Sequence, residues 1–259
     1  MLPSIFLNCI DMAAPSWRPV LAQGLALMAR RDPAYLPALA NDRFLPTGGR
    51  IFAAFEQPLE AVKYVLVGEG PYPREQSATG VCFMDGAVGP LWSAQGLSKP
   101  VNRATSLRNF MKMLMVAEGW LQPEATGGES VAPLAAKVML PGSGVIQTLP
   151  ELQQHLTDHG FLLLNAALVY RPQVPPVKEA KAWRPFFETV LEALIERPGM
   201  PPPTLVLWGR IAQWLEDLSV VSRFPRSAAE HPYNLSFIQN QAMQRLFGPM
   251  HLLQSKSFN

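Results

Sequence analysis

Three polar side chains that can take part in chemistry stand where apolar runs of this chain end. Glu69 follows the run Tyr64–Val67 after a single glycine, and Asn165 is the last residue of the run FLLLN. His231 follows a short segment, ending near residue 229, that we also predict to be a strand. A side-chain amide carries a hydrogen-bond donor and an acceptor side by side, so Asn165 can read the edge of a planar ring. Imidazole and carboxylate groups can stabilise charge that develops in a transition state. The three residue types together mark the strand ends as the candidate functional site.

The apolar runs are typical of buried strands, and helical patterns lie between them. Strands that alternate with helices predict a parallel sheet covered on both faces. Ligands of such sheets bind beyond the carboxyl ends of the strands, which is where these polar residues fall. The sequence therefore predicts an α/β protein: a three-layer α/β/α sandwich around a central, mostly parallel four-stranded sheet.

The helices that position these strands are predicted from period and capping signals. An amphipathic helix is expected over Ser16–Ala29, with Ser16 as its N-cap, and another over Ser106–Val116. Residues 122–144 are rich in Gly, Pro and Ala, which indicates a surface insertion. Nothing in the pattern indicates a second core, so one domain over residues 1–259 is expected.

Composition limits the class of protein. At 259 residues with 48% hydrophobic content, the chain can bury a sizeable core. No apolar run reaches the roughly 18 residues of a membrane span, and the first residues lack a signal-peptide pattern, so we expect a cytoplasmic protein. Two cysteines predict neither a disulfide framework nor a zinc site. A net charge of +2 requires that any nucleic-acid surface arise from local placement of charge.

Short motifs follow one another in an order that resembles family 1 uracil-DNA glycosylases, including their divergent poxviral type. The motifs are GEGPYP at 68–73, GVCFMD at 80–85, ATSLRN at 104–109, LLLN at 162–165, WGRIAQ at 208–213 and HPYNLS at 231–236. Each motif alone is weak evidence. Six in the expected order make chance a poor explanation.

The resemblance implies an enzyme that hydrolyses the N-glycosidic bond of a uracil flipped out of DNA, without metal or cofactor. Asn165 would read the uracil edge, and Phe83 would stack on the ring, since stacking of a base on an aromatic side chain contributes about 1–3 kcal/mol. Tyr72 would exclude a methyl group at C5 of the base. His231 would donate a hydrogen bond to the uracil O2 as negative charge develops there.

The same resemblance implies how DNA is held. Leu235 would wedge into the base stack that the uracil vacates, as apolar side chains do in other DNA-bending proteins. Ser106, Ser236 and Arg210 would contact the DNA backbone, which positions the protein without reading sequence. We expect a monomer that acts on single- or double-stranded DNA, and a protein partner remains an alternative.

One position departs from the family pattern, because Gly70 stands where the family carries an aspartate that positions the attacking water. Three interpretations follow. Glu69 can share the electrostatic role, since a site that stabilises a cation-like state can work without a base. Alternatively, glycine enlarges the pocket for a modified pyrimidine, such as one in phage DNA. In the third interpretation the chain is a catalytically impaired homologue that binds DNA or a protein.

Overall fold

A computed structural model describes residues 2–255, which contain a four-stranded sheet with strand order β4-β1-β5-β6 and a separate two-stranded hairpin. The strands are β1 (Tyr64–Gly68), β2 (Trp92–Ser93), β3 (Gly96–Leu97), β4 (Phe161–Asn165), β5 (Thr204–Trp208) and β6 (Arg226–Ala229). The hairpin consists of β2 and β3, which pair antiparallel.

Helices occupy the segments between the strands. They are α1 (Ser4–Ile10), α2 (Arg18–Arg31), α3 (Tyr35–Ala40), α4 (Lys99–Arg103), α5 (Thr105–Ala117), α6 (Gly128–Val138), α7 (Leu149–Asp158), α8 (Pro176–Ile195), α9 (Ile211–Glu216) and α10 (Gln241–Phe247). Short 3-10 segments cover Arg50–Phe55, Leu59–Ala61, Ser219–Arg223, Leu235–Gln239 and Gly248–Met250.

The strand register explains why polar residues meet at one edge of the sheet. β1 pairs in parallel with β4 on one side and with β5 on the other, and Gly68 lies opposite Asn165 at the carboxyl ends. Every residue of β4 is buried, as expected for a strand of a parallel sheet covered on both faces. The prediction of an α/β fold with a mostly parallel four-stranded sheet is confirmed.

The described part of the chain divides into two compact units. The first comprises Met1–Gly86, Gly160–Leu207 and Ile211–Arg226, and the second comprises Ala87–His159, Trp208–Arg210 and Ser227–Asn259. Backbone hydrogen bonds flank β5 and β6 within each unit. In the first unit the Leu205 N–H donates to the Pro225 carbonyl, and in the second the Gly209 N–H donates to the Ala229 carbonyl. The expectation of one domain stays a prediction.

Aromatic side chains fill the core of each unit. In the first, Trp17 and Phe55 pack edge to face at 4.9 Å, and Phe52 stacks on Phe186 at 5.7 Å. In the second unit, Phe110 packs edge to face on Phe247 at 5.2 Å, and Trp208 packs edge to face on Phe237 at 5.3 Å. Such pairs contribute about 0.5–1.5 kcal/mol each beyond burial of area.

The helix predicted over Ser16–Ala29 begins later than expected, and the prediction that Ser16 caps it is wrong. Helix α2 begins at Arg18, and Trp17 occupies the N-cap position without a side-chain hydrogen bond. The Ser16 hydroxyl instead accepts a hydrogen bond from the Leu59 N–H at 2.9 Å, a long-range partner that local pattern does not reveal.

The segment 122–144 contains regular structure, because it includes helix α6. Val131, Ala135 and Val138 of this helix are buried, and α6 packs against β3. Its assignment as an insertion stays a prediction. Within residues 2–255 no helix has both the length and the apolar character needed to cross a membrane.

Candidate active site

Backbone hydrogen bonds tie the turn after β1 to the turn after β4 in the first unit. The Ala166 N–H donates to the Gly68 carbonyl at 2.8 Å, and the Ala167 N–H donates to the Glu69 carbonyl at 3.1 Å. These bonds continue the parallel register beyond the strands. They fix Asn165 relative to the GEG turn by main-chain geometry.

Gly68 is required by close packing. A Cβ at this position would lie 2.5 Å from the Cys82 Sγ and 2.7 Å from the Asn165 Oδ1, closer than real Cβ contacts allow. The Asn165 side chain is only 3% exposed. Burial raises the pKa of Cys82 to about 12, so its thiol stays neutral and has no nucleophilic thiolate at physiological pH. The Cys82 thiol and the Asn165 amide therefore occupy the space that a side chain at position 68 would need.

Phe83 adopts a backbone conformation that bulky residues rarely adopt, with a φ of 68°. Conformations of this kind concentrate at functional sites and cost about 1–3 kcal/mol, which the surroundings must offset. The Tyr72 hydroxyl donates to the Phe83 carbonyl at 3.4 Å. Nearby, the Thr79 Oγ1 accepts from the Val81 N–H at 3.1 Å and donates to the Met84 carbonyl at 3.0 Å. These bonds restrain both sides of the strained residue.

Tyr72 stays protonated. Burial is the main cause that raises its pKa, and the nearby Cys82 and Asp85 raise it further, while Arg74 opposes them. Asp85, to which the sequence-based hypothesis gives no role, is 6% exposed and forms an ion pair with Arg74 at 3.6 Å. In the sequence, this ion pair is indicated only by the position of the Asp85 carboxylate next to the apolar residues around Phe83.

Glu69 and Gly70 lie exposed at the tip of the turn. A Cβ on Gly70 would meet the Ala167 carbonyl oxygen at 3.6 Å, which is ordinary van der Waals contact. The position therefore has room for a side chain. The turns formed by residues 68–72, 82–83 and 165–167 are called the base turns below.

In the second unit, His231 lies exposed in the loop formed by residues 230–236, called the histidine loop below. The Tyr233 N–H donates to the His231 Nδ1 at 3.1 Å, so a neutral imidazole carries its proton on Nε2. Gly209 lies beneath this residue with a φ of +68°, and a Cβ there would come within 2.8 Å of the His231 Cβ. The tautomer that this geometry favours presents an N–H donor at Nε2.

A buried amide holds the histidine loop from below. Asn109 of α5 is fully buried, and its Nδ2 donates to the Pro232 carbonyl at 2.7 Å and to the Tyr233 carbonyl at 3.3 Å. Asn109 belongs to the ATSLRN motif, but its type and spacing do not reveal that it supports a loop more than a hundred residues away.

The remaining predicted DNA contacts also belong to the second unit. Leu235 is 68% exposed, which is unusual for a leucine and suits an apolar wedge. Ser106 lies half-buried in the first turn of α5, and Arg210 is exposed beside Gly209.

Ser236 has an intramolecular partner in Glu230. The pKa of Glu230 is lowered: burial raises it, but hydrogen bonds from its own backbone, Ser236 and Asn240 outweigh burial. The Asn240 Nδ2 donates to Glu230 at 2.8 Å. Glu230 is therefore a carboxylate that anchors the loop, and it is a residue that the sequence motifs did not identify.

The structure thus assembles the predicted residues in two groups. Glu69, Gly70, Tyr72, Phe83 and Asn165 form the base turns of the first unit, and His231, Leu235 and Ser236 form the histidine loop of the second. The roles assigned to them stay predictions.

No metal site is found within residues 2–255, because no three His, Cys, Asp or Glu side chains there are arranged to hold an ion. His155 and His159, which are spaced as helix ligands would be, instead use their Nδ1 atoms to contact the carbonyls of Leu252 and His155.

Comparison with known proteins identifies relatives, although no protein-family model matches the sequence. The crystal structure of the wild-type UNG from Nitratifractor salsuginis is 36% identical, with a TM-score of 0.85 over 97% of this chain and 96% of that chain. The uracil-DNA glycosylase of a Nocardioides species is 28% identical over 227 residues, which cover 87% of this chain and 81% of the relative. Uracil-DNA glycosylase 1 of Streptomyces avermitilis is 30% identical over 198 residues, 76% of this chain and 70% of the relative. With identity at this level over more than two thirds of these relatives, the chain belongs to the uracil-DNA glycosylase family.

Proposed function

We propose that this protein hydrolyses the N-glycosidic bond of uracil in DNA after the base has flipped out of the stack. A base cannot be attacked inside a duplex, so a glycosylase must act on an extruded or single-stranded nucleotide. The observation that carries the proposal is the tautomer of His231. Its Nδ1 accepts from the Tyr233 N–H, so a neutral imidazole carries its proton on Nε2 and can donate it in a hydrogen bond to an anionic leaving group.

The base turns supply recognition in this proposal. The buried amide of Asn165 pairs with the uracil edge as both donor and acceptor. Phe83 stacks on the ring, and its strained φ supports a functional reason for that conformation. Tyr72 lies against C5 and excludes thymine sterically, and its raised pKa keeps the hydroxyl neutral beside the base.

Bond cleavage is dissociative in this mechanism. The bond between N1 of uracil and C1′ of the sugar breaks, and its electron pair leaves with the base. His231 donates its Nε2–H hydrogen bond to O2, where the negative charge accumulates. Water then adds to C1′ and loses a proton to solvent, and the uracil anion takes up a proton from solvent, so the products are the C1′ hydroxyl and neutral uracil. Removing one such donor typically slows an enzyme about 10²–10³-fold.

Gly70 cannot position the water or offset the sugar cation, so the proposal assigns the electrostatic part of this role to Glu69. The Glu69 backbone is fixed by the Ala167 N–H, while its carboxylate is exposed at the turn. An anion held near a cation-like transition state stabilises it without acting as a base.

DNA is held by the residues that the motifs indicate. Leu235 fills the gap left by the flipped base, and Ser106, Ser236 and Arg210 contact phosphates. Ser236 donates to Glu230 in the free protein, so its hydroxyl must exchange this partner before it can donate to a phosphate. The protein acts in this proposal as a cytoplasmic monomer.

The test is release of base from single-stranded oligonucleotides that each contain one uracil or one modified pyrimidine. We expect uracil release from the wild type and a fall of about 10²–10³-fold in kcat for His231→Ala. Asn165→Ala should also lose release. The matched control is His251→Ala, which removes a histidine with a 59% exposed side chain outside the loop and should leave the rate unchanged.

Two outcomes of this assay would contradict the proposal. Release of a modified pyrimidine alone would mean that the pocket selects another base. DNA binding without any release would leave a binding homologue.

Gly70→Asp, for which the turn has room, should raise kcat if the missing carboxylate limits the rate. An unchanged rate in Gly70→Asp, with a large loss in Glu69→Gln, would support Glu69 in that role.

A further inference from the structure

A basic cleft lies in the first unit, between the last turn of α2 and the first half of α8. Its volume is about 520 Å³. The charged side chains that line it are Arg31, Asp32, Lys178, Lys181, Arg184 and Glu188. Four cations and two carboxylates give this cleft a net charge of +2, which equals the formal net charge of the whole chain. The cleft therefore carries a local excess of positive charge, while the charges of the remaining residues balance in number.

The carboxylates of the cleft are already engaged. Glu188 accepts from Arg184 at 3.1 Å, and the Asp32 Oδ1 accepts from the Ala34 N–H at 3.0 Å. Within residues 2–255 the side chains of Arg31, Lys178 and Lys181 have no hydrogen-bond or ion-pair partner, and all three are exposed. Three cations thus remain free to bind a ligand.

Buried interactions fix the backbone that carries the lysines. Glu179, between Lys178 and Lys181 in sequence, is 2% exposed and accepts from the Tyr35 hydroxyl and the Arg171 Nε, each at 2.6 Å. Tyr35 also lines the cleft. The first turns of α8 are therefore locked in place while the neighbouring lysines extend outward.

The topology places this cleft toward the edge of the sheet where the base turns lie. The chain leaves the carboxyl end of β4 at Asn165, and α8 then leads back to the amino end of β5 at Thr204. The beginning of α8, with Lys178 and Lys181, consequently lies toward the carboxyl ends of the strands. The cleft and the base turns belong to the same compact unit.

We propose that this cleft binds backbone phosphates of the DNA strand that carries the target base, several nucleotides away from it. The inference rests on the proposed function, because it extends the footprint of the same substrate. Lysine and arginine neutralise phosphates and release counterions without reading sequence, and three unpartnered cations in a cleft provide such a contact. The contact lowers KM for long substrates and leaves the chemical step unchanged.

The experiment compares the double variant Lys178→Glu/Lys181→Glu with the double variant Lys63→Glu/Arg226→Glu. Lys63 precedes β1 and Arg226 begins β6, so the control reverses two exposed charges outside the cleft. KM and kcat are measured on uracil-containing single strands of about 6 and about 30 nucleotides, a range that spans single-strand site sizes.

We expect the cleft variant to raise KM about tenfold on the long strand only, with kcat unchanged on both strands. The slope of log affinity against log salt should become shallower by about 0.7 for each phosphate that the variant no longer neutralises. The control variant should behave as the wild type on both substrates. That pattern supports a phosphate-binding cleft remote from the base.

An equal effect of both double variants, or an equal effect on short and long strands, overturns the inference. An unchanged KM on the long strand also overturns it and would leave an acidic protein partner as the ligand to test. If the wild type releases no base, the proposed function fails separately. Fluorescence anisotropy with the same strands and variants then tests, from DNA affinity alone, whether the cleft binds DNA.

Discussion

The base turns and the histidine loop are built by different physical means. In the base turns the recognising side chain is buried: Asn165 is 3% exposed, packs against Gly68, and is fixed by strand register and main-chain hydrogen bonds. In the histidine loop the side chains of His231 and Leu235 are exposed, and the backbone is held by the buried amide of Asn109. The strands fix the first region, whereas hydrogen bonds of the Asn109 and Glu230 side chains fix the second.

Substitutions in the two regions should therefore have different effects on stability and activity. A substitution at a closely packed position of the base turns, such as Gly68 or Asn165, disturbs packing that also stabilises the sheet, so stability and activity should fall together. A substitution at an exposed position of the histidine loop should change activity while the free energy of unfolding stays the same. Surface substitutions usually change stability by less than about 0.5 kcal/mol.

The largest effect is expected for Gly68→Ala. The added Cβ would approach the Cys82 Sγ and the Asn165 Oδ1 to 2.5 Å and 2.7 Å, so one of two buried side chains must move. Overpacking of this kind costs about 1–3 kcal/mol in the free energy of unfolding. Displacement of Asn165 should abolish most uracil release. Chemical denaturation and base-release assays measure both effects.

Gly70→Ala is the matched control for that variant. Its Cβ would meet the Ala167 carbonyl oxygen at 3.6 Å, so the free energy of unfolding should change by less than about 0.5 kcal/mol. Equal destabilisation of the two variants would mean that both positions need glycine for its backbone freedom, and that packing against Asn165 is not the reason.

A smaller effect is expected for Asn109→Ala, which tests how the histidine loop is held. The change leaves the Pro232 and Tyr233 carbonyls without their donor, and leaving buried groups unpaired in this way costs about 1–3 kcal/mol. We expect kcat to fall about tenfold because His231 loses its fixed position, an effect comparable to that of other positioning groups. Steady-state kinetics and denaturation on the same preparation measure this. A lower stability with an unchanged kcat would show that the loop holds its shape without Asn109.

The smallest effect concerns pH and Glu230. Its folded-state pKa is lowered below 4.5, because hydrogen bonds from its backbone, Ser236 and Asn240 outweigh the opposing effect of burial. The stabilisation is therefore present above pH 4.5 and is lost as pH falls through the folded-state pKa. Glu230→Gln should destabilise the protein by at most about 1 kcal/mol at pH 7. The difference from the wild type should shrink in denaturation curves below pH 4.5. A difference that grows with acid would contradict the sign of this shift.

The sequence by itself determined the parallel sheet and the candidate residues. Continuous apolar runs such as FLLLN predict buried strands, and the polar residues at their ends must fall at one edge because parallel strands share a direction. The order of six motifs indicated the uracil-DNA glycosylase family, to which the chain belongs. Helix α5 differs from its predicted range by one residue at each end.

Only the tertiary structure decided the features that depend on distant partners. The Ser16 hydroxyl bonds Leu59 instead of capping a helix, Asn109 supports a loop far along the chain, and Asp85 pairs with Arg74 beside Tyr72. The His231 tautomer and the positive φ of Phe83 likewise follow from the folded backbone. Local periodicity records which face of an element is buried, but a hydrogen-bond partner is selected by packing between segments that are remote in sequence, and that information exists only in the folded chain.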